Sequence, residues 1–152
     1  MAVFKYSWGA ELQGGQLTDA DLAWQYLFER RVITITSERW ERRFSYRLRE
    51  QDGGHAVEML NGPDNRRDFR FIGRIGDDGQ FASTTATPDV RWLGFKLFAE
   101  AVAALWAGDM PAGLGLWHDN VCGRCRRRLT VPTSVAFGFG PECIDQVKRR
   151  KP

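Results

Sequence analysis

His118, Cys122, Cys125 and Cys143 form the pattern H-x3-C-x2-C-x17-C near the C-terminal end of the 152-residue sequence. They use all three cysteines and one of only two histidines. In Cys122-Gly123-Arg124-Cys125 the C-x2-C spacing lets a tight turn bring two thiolates to one side, where both can bind a single tetrahedral ion. Cys143 follows Gly138-Phe139-Gly140-Pro141-Glu142, so Pro141 predicts a helix start with Cys143 in its opening turn. There the exposed N–H groups and the helix dipole are expected to favour a thiolate. A knuckle followed by a cysteine at a helix start predicts a small treble-clef-like zinc module. The usual second ligand of such a helix would fall at Gln146 or Val147, and neither binds zinc. His118 is the nearby nitrogen donor and is therefore expected as the fourth ligand. Three thiolates and an imidazole would close a structural site, leaving no position for water. The competing readings of C-x2-C are free thiols in a small core, or a redox pair. An odd cysteine count and the absence of a signal peptide speak against a disulfide framework.

Charge is distributed unevenly around these residues. Residues 118–152 carry eight Lys/Arg against three Asp/Glu, a net of +5, while residues 1–117 hold 14 basic and 16 acidic side chains, a net of −2. The basic set is Arg124, Arg126, Arg127 and Arg128 around the knuckle, with Lys148, Arg149, Arg150 and Lys151 at the end. Such a set is expected to meet an anionic partner, nucleic acid foremost. Little here builds a catalytic site. With His118 bound to metal, only His55 remains for general base work, and it follows the turn Asp52-Gly53-Gly54. The carboxylate pairs Asp77/Asp78 and Asp19/Asp21 fall in a turn and at a helix start. No nucleophile motif, phosphate loop or dinucleotide fingerprint appears, and Gly14-Gly15 lacks the Lys-Ser/Thr a phosphate loop requires.

The elements that must position the site follow from periodicity. The expected fold is α+β: an antiparallel sheet of four or five strands packed by one or two helices, with the zinc module appended. Its organisation is a body over residues 1–110, a connector over 111–117 and a basic zinc-binding module over 118–152. A short strand is predicted at residues 3–6, followed by a helix capped by Thr18 and running to about Arg30 with Leu22, Tyr26 and Leu27 inside. From residue 31 to 84 the period becomes two. Ile33/Ile35, Phe44/Tyr46/Leu48, Val57/Met59 and Phe69/Phe71 are expected on the apolar face, with Arg43, Arg47, Arg49 and Arg70 toward solvent. A second helix is predicted from a Thr87 cap, with Val90, Leu93, Leu97, Phe98, Ala101, Leu105 and Trp106 across the sheet and Gly108 ending it. Trp117 is expected to pack the metal module onto the body.

The run Trp117-His118, then Cys122-Gly123-Arg124-Cys125-Arg126-Arg127-Arg128-Leu129-Thr130-Val131-Pro132-Thr133-Ser134, then Gly138-Phe139-Gly140-Pro141-Glu142-Cys143, resembles a domain-of-unknown-function family. That family is found in small proteins of phages, prophages and other mobile elements. Its members read H, spacer, C-G-R-C-G-R-x-L-T-x-P-x-S, spacer, G-I-G-P-E-C, and the likeness covers about the last quarter of the sequence. Asn61-Gly62-Pro63-Asp64-Asn65 also looks like a phrase seen upstream in longer relatives. The resemblance implies that His118, Cys122, Cys125 and Cys143 bind zinc, and it brings no activity with it. Arg126 replaces the family glycine at a position where left-handed backbone is expected, and Phe139 replaces the family isoleucine.

Together these observations predict a non-catalytic, cytoplasmic zinc-binding accessory protein of phage type in a bacterial host. Its basic module would bind nucleic acid or a nucleoprotein complex. The alternative is a protein–protein inhibitor of a host defence complex, anti-CRISPR-like, with no direct nucleic-acid binding.

Overall fold

The computed structural model describes residues 15–29, 32–51, 53–62, 64, 67–83 and 92–150, apart from the side chains of 148–150. In chain order the elements are α1 (Ala20–Leu27), β1 (Ile33–Ser37), β2 (Arg42–Gln51), β3 (Gly54–Leu60), β4 (Phe69–Gly76), β5 (Phe81–Ser83), α2 (Trp92–Trp106), β6 (Leu114–Trp117), α3 (Pro132–Phe137) and α4 (Pro141–Arg150). The strands form one antiparallel sheet in the order β5-β4-β3-β2-β1-β6. The predicted strand at 3–6, the Thr87 cap, Val90 and Lys151 lie outside the described residues.

Two-residue alternation holds through most of the sheet. Ile33, Ile35, Tyr46, Leu48, Val57 and Met59 are buried, and α2 lies against them with Leu93, Leu97, Phe98, Ala101, Val102 and Leu105. Each large apolar side chain withdrawn from water here contributes about 1.5–3 kcal/mol before entropy is subtracted. Gly94 allows the close approach. A Cβ there would stand 2.4 Å from Met59 Sδ, and the Gly94 carbonyl accepts a buried 2.6 Å hydrogen bond from Tyr46 Oη. Trp106, expected inside, is instead 52% exposed and packs on Trp24 at the helix end. Gly108 ends α2 as expected, in left-handed conformation with φ 91°.

Three local differences have clear causes. Asp19 caps α1 rather than Thr18, because its carboxylate reaches the N–H of Leu22 at 3.0 Å. On β4 a bulge opposite Val57/Glu58 inserts Ile72, which reverses the alternation. Ile72 and Ile75 then point inward, while Phe71 is turned out and 46% exposed. Phe69 is also displaced from the expected face, yet it stays buried because the Arg47 guanidinium lies over its ring at 4.1 Å. Arg47 and Arg49 flank the buried carboxylate of Glu58 at 2.9 and 3.6 Å, so the arginine-bearing face is partly neutralised.

Residues 114–117, expected as part of a connector, supply the edge strand β6. Thr34 pairs with Trp117, and the Trp117 indole donates to Thr36 Oγ1 at 3.0 Å. The sheet therefore runs without a break into the cysteine segment. Its core does the same: Cys122, Leu129, Phe139, Cys143 and Val147 belong to the same buried cluster as Leu17, Leu22 and Tyr26.

Candidate metal centre

Beyond β6 the chain turns back on itself. Val121 and Arg128 form an antiparallel bridge, the Leu129 N–H donates to the Asn120 carbonyl at 2.7 Å, and the Cys122 N–H donates to the Arg127 carbonyl at 2.8 Å. This hairpin carries Cys122 and Cys125. Its last tight step places Arg126 at φ 66°, the left-handed conformation expected at this position from the resemblance. The Arg126 N–H closes the turn onto the Cys122 carbonyl at 3.0 Å.

The next turn delivers the third thiol. The short helix α3 ends at Gly138, whose φ of 80° is left-handed and whose N–H returns to the Ser134 carbonyl. A Cβ on Gly138 would meet Leu17 and Tyr26 at 2.7 and 2.8 Å. Gly140 then leads into Pro141 and α4, with Cys143 in the first turn as predicted. The Gly138 carbonyl also accepts from the Gly123 N–H at 2.9 Å, joining the two halves of the site.

These turns bring the sulfurs of Cys122, Cys125 and Cys143 within 4.8 Å of one another. Cys122 and Cys143 are buried and Cys125 is exposed. Burial pushes the Cys122 thiol up. Backbone N–H groups of Cys125, Gly140 and Arg124, with the Cys125 side chain, outweigh that and bring it down to about 7. The Gly140 N–H reaches Cys122 Sγ at 3.4 Å. Cys143 goes the other way: burial, then hydrogen bonding with Cys125 and Cys122 and repulsion from their charge, push it up to about 11. The helix start therefore does not make Cys143 the easy thiolate its position promised. The charge of its two neighbours thus opposes ionisation of Cys143, and a bound cation would relieve that repulsion. A three-thiol cluster of this kind is a donor set for a soft or borderline metal ion.

His118 is not part of the cluster. Its ring is buried, with Nε2 2.6 Å from the Val135 carbonyl and Nδ1 accepting from the Asn120 N–H at 2.9 Å. Burial lowers its pKa, against smaller opposing effects from the Val135 bond and Asp119. It is thus a neutral imidazole with the proton on Nε2, tying α3 to the loop before the knuckle. Both directions in which it could ligate are occupied by backbone. The expected fourth ligand is a structural staple, and spacing alone gave no sign of Val135 approaching from α3. His55 sits in β3 with its ring edge-on to Phe28, not in an open turn. The carboxylate pairs keep their local roles, Asp19 as a cap and Asp78 accepting from the Gln80 N–H in a turn.

Of the basic residues, Arg126, Arg127 and Arg128 are exposed on the knuckle and Arg124 is half-buried beside it. Arg127 makes a loose, exposed ion pair with Glu142 at 3.8 Å. Lys148, Arg149 and Arg150 continue α4. Sequence reasoning missed Asn120, Ser134 and Thr130. Asn120 holds a left-handed turn with φ 63°. Ser134 and Thr130 line a cavity of about 190 Å³ together with the three cysteines. Asn120 carried a sequence signal because asparagine tolerates that conformation, and Thr130 and Ser134 stand in the run that carries the family resemblance.

Residues 118–148 match a family of unknown function, DUF6011, which spans the knuckle, α3 and most of α4. No curated protein and no solved structure matches the chain.

Proposed function

We propose that Cys122, Cys125 and Cys143 hold a structural Zn²⁺ in a treble-clef-like module, and that this module binds nucleic acid or a nucleoprotein complex without catalysing a reaction. The observation that carries the reading is that the hairpin supplying two of the three converging sulfurs also carries exposed Arg126, Arg127 and Arg128. Zinc suits the donor set because it accepts thiolates in a tetrahedral arrangement and brings no redox chemistry. Thiols kept reduced fit the cytoplasm of a bacterial host, where a mobile-element accessory protein would work. Among the described residues no helix is long and apolar enough to cross a membrane.

The hairpin presents guanidinium groups, which suit phosphate oxygens in their planar, forked geometry. Each phosphate neutralised releases condensed counterions, so binding must weaken steeply with salt. If Arg126, Arg127 and Arg128 engage three phosphates of duplex DNA, raising salt about fourfold weakens binding about 40-fold. The test is a titration of the zinc-loaded protein against single- and double-stranded DNA and RNA across that salt range. Changing Arg126, Arg127 and Arg128 together to Ser is expected to remove most of the affinity and flatten the salt dependence. Unchanged affinity in that variant would contradict the proposal. Recovery of a stoichiometric protein partner that survives nuclease treatment, with no nucleic acid bound, would instead favour inhibition of a protein complex.

A further inference from the structure

The usual nitrogen and sulfur ligands of zinc number five in this chain, three cysteines and two histidines, and every one of them has a place. Three are the clustered thiols. His118 spends Nε2 on the Val135 carbonyl and Nδ1 on the Asn120 N–H. His55 lies in β3 against Phe28 and is not in the cysteine cluster. Among the described residues no carboxylate oxygen joins the group either. Glu142 lies next to Cys143 in sequence, but its side chain is 85% exposed and faces Arg127. A tetrahedral ion held by the three thiolates is therefore one donor short from this set.

The three sulfurs themselves line a cavity of about 190 Å³, together with Thr130, Ser134, Gly140, Arg127, Arg128 and Glu142. A water molecule occupies about 30 Å³ in the liquid, so this volume accommodates the ion and a further ligand of several heavy atoms. Three thiolates around a divalent ion leave a net charge of −1, which opposes a further anion. The guanidinium groups of Arg127 and Arg128, set against the single carboxylate of Glu142, leave the rest of the lining net positive and offset that repulsion. For a borderline-soft ion already in a sulfur environment, the best-matched small donor is another sulfur.

Resting on the zinc reading above, we infer that the fourth coordination position is open to solvent and takes a low-molecular-weight thiol. The thiol binds as its thiolate: a metal–sulfur bond forms, the S–H proton passes to solvent, and the solvent ligand it replaces leaves. No electron is transferred. The centre is then a reporter of, or a docking point for, small thiols as well as a structural clamp, and of its three cysteines Cys125 is the exposed one.

The test loads the reduced full chain with Co²⁺ in place of zinc, because sulfur-to-cobalt charge-transfer absorption scales with the number of bound thiolates. Titration with 2-mercaptoethanol is expected to raise that absorption saturably by about one third, the step from three thiolates to four. Cobalt should remain bound at one per chain, and His118→Gln should show the same rise. A spectrum that does not respond to thiol in the wild-type protein would overturn the inference while leaving the metal centre intact. So would a His118→Gln spectrum shifted before any thiol is added, which would mark His118 as the fourth donor. Release of cobalt by the thiol instead of adduct formation would overturn it as well. Failure of the chain to take up cobalt at all would remove both the inference and the zinc reading beneath it.

Discussion

Arg126 holds its backbone at φ 66°, where a β-carbon crowds the neighbouring carbonyl. Arg126→Gly is expected to stabilise the metal-loaded protein by about 1 kcal/mol, read from urea unfolding, while weakening nucleic-acid binding through the lost charge. The arginine is thus held at a cost in stability, consistent with a surface role. His118 makes the opposite case. Removing its ring leaves the Val135 carbonyl and the Asn120 N–H without their partner, so His118→Ala should destabilise by about 1–3 kcal/mol for each group left unsatisfied. Metal content should stay at one per chain, because the sulfurs do not depend on that ring for a donor. The thiols themselves set a pH dependence. Metal binding displaces any proton a ligand carries, and Cys143, raised to about 11, is protonated at neutral pH. Cys122 becomes protonated as pH falls through about 7. Apparent affinity should therefore fall at least about tenfold per pH unit near neutrality and more steeply below 7, as measured by competition with a chromophoric chelator.

Between the knuckle and α4 the decisive contacts come from α1, an element far away in sequence. Tyr26 packs against His118 and Phe139, approaches Gly123 and Gly138, and donates its hydroxyl to the Val121 carbonyl at 3.2 Å. Tyr26→Phe should cost about 1 kcal/mol and Tyr26→Ala about 3–5 kcal/mol, with metal affinity falling in the latter, by calorimetry and metal titration. The knuckle and the helix start at Pro141 were legible in the sequence because C-x2-C and G-x-G-P are local signals. So were the inward faces of β1, β2 and β3, and that of α2 apart from Trp106, which follow regular periodicity. What could not be read there depends on contacts between distant segments. The β4 bulge that turns Phe71 outward answers to β3, and β6 is a strand only because β1 offers it an edge. The role of His118 is set by a carbonyl on α3, 17 residues later in sequence.

As a whole the molecule is joined across the boundary its charge distribution suggested. The edge of the sheet passes directly into the cysteine segment, the His118 N–H donates to the Gly15 carbonyl, and the Thr18 N–H donates to the Ala136 carbonyl. Losing the metal should therefore loosen more than the last residues. Cys143→Ser, or chelation of the wild-type protein, is expected to reduce hydrogen-exchange protection in α1 as well as from residue 118 onward. The energy at stake is on the order of 10 kcal/mol, typical of structural zinc. Sequence composition showed where the positive charge lies but not that its carrier shares the body's core, since Leu17 and Tyr26 meet Phe139 only in the fold. The most direct measurement is the intact mass of the reduced protein under native conditions, before and after chelation. One Zn²⁺ per chain, lost to the chelator together with the protease resistance of residues 118–150, is the expected result; a folded, resistant chain with no metal bound would contradict it.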